Sequence, residues 1–369
     1  MQHSHRDIGI VAKAYKLICC TKTRYNSRIC LAYTILIALH IEGLNNIKKI
    51  RLRTPKRPGE KRRWVTLRPR RLRLRRGHRK AGQPLWVYSN GKLEQERIVA
   101  ERWMRLIYEN PVGRASLLWW VKRKAVSRIY GLYCRTRMSA RKIPRFIEEH
   151  DIDMTGCESQ YQTFAQFFSR EKADVSFPED PHILGSPCEG MVTINTDIAP
   201  EKLIAAKGAD FSLAELFGDE SLAEEYRGGT MLRIRLTPSN YHRMHFFDDG
   251  VVTGAKFLKG DLYSVSPLAV DRVRRLYCRN KRAIINFSSN NFGDVAMVEV
   301  GATFVGSIVH CFDVGEPVKR GQQASFFLPG GSLVLVFFKS GAFTPDESIL
   351  EQTNAGYETK SLIGHPLSF

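Results

Sequence analysis

The sequence predicts an α+β protein in which N-terminal helices pack on a mainly antiparallel β barrel or sandwich. Apolar residues recur at helical spacing before about residue 174, whereas short alternating or apolar runs punctuated by Gly, Asn and Asp follow it. Many short strands separated by turns argue against a parallel α/β sheet. A glycine-rich nucleotide-binding loop after a strand does not occur, which argues against a nucleotide-dependent enzyme. The 369 residues leave room for one large domain or two of ordinary size.

The basic charge of the chain is confined to an N-terminal segment. Residues 1–80 hold 23 of the 57 Lys and Arg residues but only three of the 37 Asp and Glu residues, so the remainder carries 34 of each. We predict that residues 1–84 form a disordered extension, with an arm for anionic lipid or nucleic acid as the alternative. Because the rest of the chain is neutral, no nucleic-acid partner is expected.

The cysteines and apolar runs narrow the class of protein further. The eight cysteines form no CxxC pair, which argues against a zinc ribbon or a disulfide framework and favours a reducing compartment. The longest apolar run, residues 29–41, falls short of the roughly 20 residues of a transmembrane helix.

Residues 85–173 are predicted to be a helical region that associates with a membrane. One helix is expected at 94–109, ended by Asn110-Pro111, and another at 139–150 with Ile143, Phe146 and Ile147 on one face. Between them, paired aromatic residues adjoin a basic cluster, a combination suited to a membrane interface. The expected membrane contacts are Trp119, Trp120, Lys122, Arg123 and Lys124. The alternative is an amphipathic helix packed on the protein body.

Residues 174–369 are predicted to be a β-rich domain. Strands are expected at 232–236, 250–258, 283–287, 295–300, 303–309 and 333–338. The last of these is a wholly apolar run and should be buried on both faces. It follows Pro329-Gly330-Gly331-Ser332, which is either a simple turn into a core strand or a reactive peptide bond between Gly331 and Ser332.

Three polar clusters among these strands could supply a nucleophile, a base and an acid. They centre on Glu189 in a Gly- and Pro-bounded turn, on the pair His242 and His245, and on Ser332. A serine becomes a good nucleophile when a carboxylate-oriented histidine takes its proton. The residues alone leave other interpretations open: a solvated glutamate, structural histidines, a metal-binding histidine pair or a conventional serine hydrolase.

The clusters, in this order, resemble the phosphatidylserine decarboxylase family from about residue 85 to the C-terminus. The matching segments are 110–114 (NPVGR), 167–170 (FFSR), 186–190 (SPCEG), 241–245 (YHRMH), 260–265 (GDLYSV), 279–280 (RN), 301–308 (GATFVGSI) and 330–332 (GGS). The resemblance implies that Ser332 is the precursor of a covalent pyruvoyl group, with self-cleavage between Gly331 and Ser332, and that His242 is catalytic. Glu189 stands where the family usually has aspartate, and Leu333 where threonine is common.

The resemblance also implies a substrate, partners and a location. The expected reaction is decarboxylation of phosphatidylserine to phosphatidylethanolamine, catalysed by the β-rich domain. The two fragments of the cleaved chain, 1–331 and 332–369, are expected to stay associated. The expected location is the cytoplasmic face of a bacterial-type plasma membrane, without a transmembrane helix. A homodimer is compatible with the resemblance, and no metal is expected. The alternative function is that of a lipid-binding relative that does not cleave itself.

Overall fold

The structure is a computed structural model. It describes residues 50–53, 64–67, 85–96, 101–109, 124–201, 203–204, 210–302, 308–330 and 332–369. The chain divides into two units, residues 1–71 and residues 72–369. In the first, β1 (Ile50–Arg53) and β2 (Trp64–Leu67) form an antiparallel pair. The rest of the predicted extension, residues 1–84, lies outside the described residues.

The second unit contains the helices and the other strands. Its helices are α1 (Glu101–Glu109), α2 (Lys124–Cys134), α3 (Ile143–His150), α4 (Phe164–Phe168), α5 (Leu213–Phe217), α6 (Glu220–Glu224), α7 (Pro267–Val270), α8 (Leu276–Arg279) and α9 (Glu347–Ala355), with a 3-10 helix at Arg137–Lys142. Its strands are β3 (Trp86–Ser89), β4 (Lys92–Gln95), β5 (Gly190–Asn195), β6 (Leu203–Ile204), β7 (Asp210–Phe211), β8 (Thr230–Leu236), β9 (Arg243–His245), β10 (Gly250–Leu258), β11 (Arg282–Ser289), β12 (Gly293–Gly301), β13 (Ile308–His310), β14 (Pro317–Val318), β15 (Gln323–Phe327), β16 (Ser332–Phe338) and β17 (Glu358–Ser361).

A ten-stranded sheet forms the centre of this unit, in the order β14-β10-β11-β12-β16-β8-β5-β17-β3-β4. Its described pairings are antiparallel apart from β17 with β3. The predicted α+β class is therefore confirmed. The sheet is open, with β14 and β4 at its edges, so the sandwich-like form fits and a closed barrel does not. A three-stranded sheet, β13-β15-β9, shares an apolar core with one face of the large sheet.

Strand β16 lies inside the large sheet and is buried along its whole length. It pairs with β12 on one side and β8 on the other, so that Ser332 lies opposite both Gly301 and Leu236. Alternate side chains enter two different cores: Leu333, Leu335 and Phe337 one, and Val334, Val336 and Phe338 the other. The strand predicted from its continuous apolar run is therefore confirmed, and its six apolar residues anchor it from both faces.

Most of the predicted strands match the structure, with two boundary differences. Residues 232–236, 250–258, 283–287, 295–300 and 333–338 fall within β8, β10, β11, β12 and β16. Of the strand expected at 303–309, residues 308–310 form β13 and residues 303–307 lie outside the described part. The helix expected at 94–109 is described over Glu101–Glu109, and residues 97–100 lie outside the described part. Lys92–Gln95 instead pairs with β3 through a turn at Asn90 and Gly91, both of which have positive φ.

The helices between residues 124 and 168 have an apolar core of their own. The predicted helical face is confirmed, since Ile143 is buried there and Phe146 and Ile147 pack against the same cluster. The helix expected at 139–150 has a 3-10 first part and becomes α-helical at Ile143, just before a proline. Proline suits this first turn because its missing N–H would have no partner within the helix. Phe167 and Phe168 of α4 belong to the same core.

Two buried arginines of β8 bind the carboxylates of Glu96, near the start of the second unit in sequence, and Glu358, near its end. Arg235 donates to both oxygens of Glu96 at 2.9 and 3.0 Å, and it also binds Glu358 of β17. Arg233 contacts the same Glu358 at 2.8 Å. Burial alone would favour the neutral acid, but the two guanidinium groups outweigh it and lower the pKa of the Glu358 carboxyl.

We expect Glu358→Ala to lower the free energy of unfolding by about 3–5 kcal/mol, because it leaves two buried guanidinium groups short of a counter-charge. Urea unfolding in a Ser332→Ala background, which keeps the chain intact, measures this loss. The ion network stabilises the fold above the ordinary glutamate pKa of 4.5, so the difference should shrink as pH falls below that value. Glu351→Ala, at an exposed position of α9, is the control. Equal effects of the two substitutions would contradict the prediction.

Candidate active site

Ser332 is the first residue of β16 and is fully buried. Its Oγ has no hydrogen-bond partner among the described residues, which is costly for a buried hydroxyl and marks it as a group available for chemistry. Gly330, two residues earlier, has a φ of 144°, a conformation that side chains other than hydrogen rarely allow. Gly331 itself lies outside the described residues.

His242 is a fully buried imidazole with one nitrogen in use. Its Nδ1 lies 2.8 Å from the Asn240 carbonyl oxygen, which can only accept, so Nδ1 carries the proton. Nε2 then holds a lone pair, and it has no partner in the described part of the chain. Burial lowers the pKa of His242 to about 3, with the Asn240 carbonyl opposing this shift. The imidazole is therefore neutral at pH 7 and can act as a base through Nε2.

Ser332 and His242 lie near the same end of β16. Leu236, the neighbour of Ser332 on β8, is followed by a short turn that ends at His242. The His242 carbonyl accepts a hydrogen bond from Phe327 N at 3.0 Å, just before the chain reaches Gly330. The Gly330 backbone lies close enough to the imidazole to raise its pKa slightly against the effect of burial.

Glu189 reaches this histidine through an intermediate residue, Asn240. The Glu189 Oε1 accepts from Asn240 Nδ2 at 2.8 Å, and the Asn240 side-chain oxygen accepts from the N–H and the hydroxyl of Thr237, each at 2.8 Å. The carboxylate therefore orients the residue whose main-chain carbonyl fixes the His242 tautomer. Sequence reasoning did not identify Asn240, although its place in a polar turn after a strand was a usable signal.

His245 is engaged on both ring nitrogens. Nδ1 lies 2.8 Å from the Gly321 carbonyl oxygen, and Nε2 lies 3.2 Å from the Tyr241 hydroxyl. Burial lowers the pKa of His245 as well. A histidine pair for a metal was one open interpretation. Within the described ranges, no three His, Cys, Asp or Glu side chains are grouped to hold a metal ion.

A second polar cluster, which sequence reasoning missed, centres on Glu299 in β12. The fully buried Glu299 carboxylate contacts His310 Nε2 at 2.6 Å and accepts from the Ser325 hydroxyl. Antiparallel pairing puts Glu299 on the same sheet face as Ser332, since Gly301 lies opposite Ser332. A glutamate inside an apolar strand was the only signal available, because its partners come from two other strands.

Comparison with known proteins assigns the chain to a family. Residues 162–359, which include Glu189, His242 and Ser332, match the family model for phosphatidylserine decarboxylase. The chain belongs to the phosphatidylserine decarboxylase family. It is similar to the phosphatidylserine decarboxylase proenzyme of Clostridium botulinum (strain Kyoto / Type A2), with 39% identity over 277 residues, or 74% of this chain and 94% of the relative. The proenzyme of Ruminiclostridium cellulolyticum is 40% identical over 277 residues, or 74% of this chain and 92% of the relative.

The predicted membrane contacts of this family member fall mostly outside the described residues. Trp119, Trp120, Lys122 and Arg123 are not described, and Lys124 begins α2 without a described side chain. Immediately downstream, three apolar side chains are unusually exposed: Ile129 at 63%, Leu132 at 65% and Met138 at 67%. Exposed basic side chains accompany them at Arg135, Arg137, Arg141 and Lys142. No helix within the described ranges is long and apolar enough to cross a bilayer.

The low pKa of His242 predicts how stability depends on pH. Below the ordinary histidine pKa of 6.5 the unfolded chain binds a proton that the buried imidazole refuses, so stability falls as pH decreases toward about 3. The slope due to this residue should approach 1.4 kcal/mol per pH unit. Urea unfolding between pH 7 and 4 should show a shallower fall for Ser332→Ala/His242→Gln than for Ser332→Ala. Parallel curves would exclude a neutral buried His242.

Proposed function

We propose that this chain is a self-cleaving, pyruvoyl-dependent decarboxylase that converts phosphatidylserine to phosphatidylethanolamine and CO2. The observation that carries the proposal is the pairing, at one end of β16, of a buried serine hydroxyl without a partner and a buried neutral imidazole with a free lone pair. The family's proenzyme relatives agree with a chain that must be processed.

The cleavage chemistry needs a base, a nucleophile and a flexible preceding residue. His242 Nε2 takes the proton of Ser332 Oγ, which attacks the Gly331 carbonyl carbon. The C–N bond to Ser332 breaks as Nε2 returns that proton to the Ser332 nitrogen, so the amide becomes an ester and Nε2 is again free. Abstraction of the Ser332 Cα proton then expels the ester oxygen, so residues 1–331 leave with a free carboxylate. The remaining unsaturated residue takes up one water and loses one ammonia, which leaves a pyruvoyl group at the start of residues 332–369. Glu189 assists through Asn240, which holds Nδ1 as the donor.

The surroundings of Ser332 suit a pyruvoyl group. The position is fully buried, and the group would be joined directly to Leu333, whose side chain packs in the core. Bound there, the group supplies the electron sink that makes loss of CO2 from an amino acid accessible. His242 Nε2 could take the proton that the substrate ammonium must lose and later return it to the carbon that has lost CO2. Strand β16 holds the new chain end between β12 and β8 after cleavage.

The proposal includes binding of the enzyme to the cytoplasmic face of a membrane as a peripheral protein. The substrate is a membrane lipid, so the protein has to rest on the bilayer for a headgroup to enter the site. The exposed Ile129, Leu132 and Met138 with the neighbouring cations form a surface suited to anionic lipid. In the sequence, these residues follow the aromatic and basic stretch that contains Trp119 and Trp120.

We expect purified protein to consist of two fragments, residues 1–331 and 332–369, and Ser332→Ala to remain one chain without decarboxylase activity. Intact-mass spectrometry checks both, since the smaller fragment should be lighter by one ammonia than a peptide that begins with serine. His242→Ala should lose decarboxylation and slow cleavage strongly, because it removes the Nε2 lone pair that serves as the base. His182→Ala, at an exposed position, is the control. A wild-type protein that stays intact would favour a lipid-binding relative that does not cleave.

We expect charge reversal at Lys122, Arg123 and Lys124 to weaken binding to anionic vesicles by at least about tenfold, since each cation near such a surface contributes about 1 kcal/mol. Vesicle sedimentation measures the binding, while decarboxylation of short-chain phosphatidylserine in detergent should persist. Reversal of three exposed lysines elsewhere, Lys92, Lys259 and Lys360, is the matched control. Unchanged vesicle binding by the first variant would remove this surface from the proposal.

A further inference from the structure

Arg170, which follows α4, is a buried guanidinium that makes no ion pair with a carboxylate among the described residues. The residue is 3% exposed, and its Nε and Nη1 have no hydrogen-bond partner within the part of the chain that the structure describes. Its Nη2 donates to the Ser239 carbonyl oxygen at 3.2 Å, and the guanidinium lies 5.2 Å from the centre of the Phe167 ring. A buried charge with unused donors is expensive unless a ligand supplies the missing anion.

Other buried arginines show how the fold normally treats this group. Arg233 and Arg235 both bind the Glu358 carboxylate, and Arg235 also binds Glu96. Arg282 donates to four backbone carbonyl oxygens. Because these guanidinium groups are well supplied with acceptors, the two idle donor atoms of Arg170 are not a general property of arginine in this protein.

The position of Arg170 connects it to the candidate active site. Its positive charge contributes to the low pKa of His242. Phe168, two residues earlier, lies against the imidazole with ring centres 3.9 Å apart. The carbonyl that Arg170 binds belongs to Ser239, in the turn that also carries Asn240. Thus three buried groups with unused hydrogen-bonding capacity lie in one region: the Arg170 guanidinium, His242 Nε2 and Ser332 Oγ.

We propose that Arg170 binds the phosphodiester of the lipid headgroup and so fixes the reacting amine beside Ser332 and His242. The inference rests on the proposed function, and it adds a substrate-binding residue to it. Arginine suits this task because its N–H groups form strong charge-assisted hydrogen bonds to phosphate oxygens. A dry site strengthens such bonds further, since water does not compete.

The phosphodiester is a better ligand for Arg170 than the carboxylate of the same substrate. The carboxylate loses its charge as CO2 forms, so a cation bound to it would stabilise the ground state more than the transition state and slow the reaction. The phosphodiester keeps its charge throughout. A cation bound there lowers the KM and leaves kcat nearly unchanged.

The test uses a headgroup analogue that lacks the carboxylate. Glycerophosphoethanolamine should inhibit decarboxylation of short-chain phosphatidylserine by the mature wild-type enzyme in detergent. Arg170→Gln should raise its inhibition constant about 10- to 100-fold, the usual effect of losing a hydrogen bond to a charged group, and should raise the KM in parallel. The kcat should stay within a factor of about three. Arg170→Lys should lie between the two, because it retains the charge but loses donors.

Two controls separate phosphate binding from general effects. Arg320→Gln removes another partly buried arginine that donates to backbone carbonyl oxygens and has an unpartnered Nε, and it should leave inhibition unchanged. Ethanolamine, which has no phosphate, should inhibit the wild type and Arg170→Gln equally. Inorganic phosphate should inhibit the wild type more weakly than glycerophosphoethanolamine, since it lacks the amine arm.

The outcomes distinguish this inference from the proposed function. A wild-type enzyme that releases no CO2 from phosphatidylserine contradicts the function itself. An active wild type with an unchanged inhibition constant in Arg170→Gln overturns only the role of Arg170, as does a fall in kcat at constant KM. If Arg170→Gln does not mature, the Arg170→Lys enzyme decides, and an unchanged inhibition constant there overturns the inference.

Discussion

The burial of β16 between two hydrogen-bonded neighbours is the constraint on which the rest of the site depends. The strand begins at Ser332, so the sheet anchors the residue proposed to react through the residues that follow it. Its first apolar side chain, Leu333, is locked into a core, and both cores continue along the strand. A bond broken just before this strand changes the covalent chain but leaves every contact of β16 in place. The proposed cleavage would therefore leave in place the contacts that stabilise this strand.

Burial would govern the chemistry that we propose for the same region. It keeps His242 neutral, leaves the Ser332 hydroxyl without a competing partner and strengthens any bond that Arg170 makes. This burial lowers the stability of the folded state, because an imidazole and a guanidinium there have atoms without hydrogen-bond partners among the described residues. The extensive cores on both faces of the sheet offset that cost. Two other buried polar side chains, Arg235 and Asn280, have hydrogen-bond partners within the fold.

The sequence predicted those features that depend on local periodicity or on a motif. Alternation in residues 232–236 and the apolar run 333–338 identified strands, and the ordered motifs brought Ser332, His242 and Glu189 together as one set of candidates. It could not predict Asn240 as the link between the acid and the imidazole, because that link depends on the conformation of a turn. The Glu299 cluster was hidden for a different reason, since its members come from three strands. An unpartnered donor such as that of Arg170 cannot be recognised from a sequence, because it depends on which groups the tertiary structure places within hydrogen-bonding distance.

The attachment of Ser332 to the sheet has a consequence for the life of the enzyme. A dissociable coenzyme can be lost and replaced, but the group that we propose to form from the chain itself at the start of β16 could not be exchanged. Residues 332–369 also supply α9 and β17, and Glu358 of β17 binds the arginines of β8, so release of the smaller fragment would dismantle the sheet. Chemical damage to the reactive group would therefore be permanent. The working lifetime of the catalyst would equal that of the protein molecule, and new synthesis would be the only means of repair.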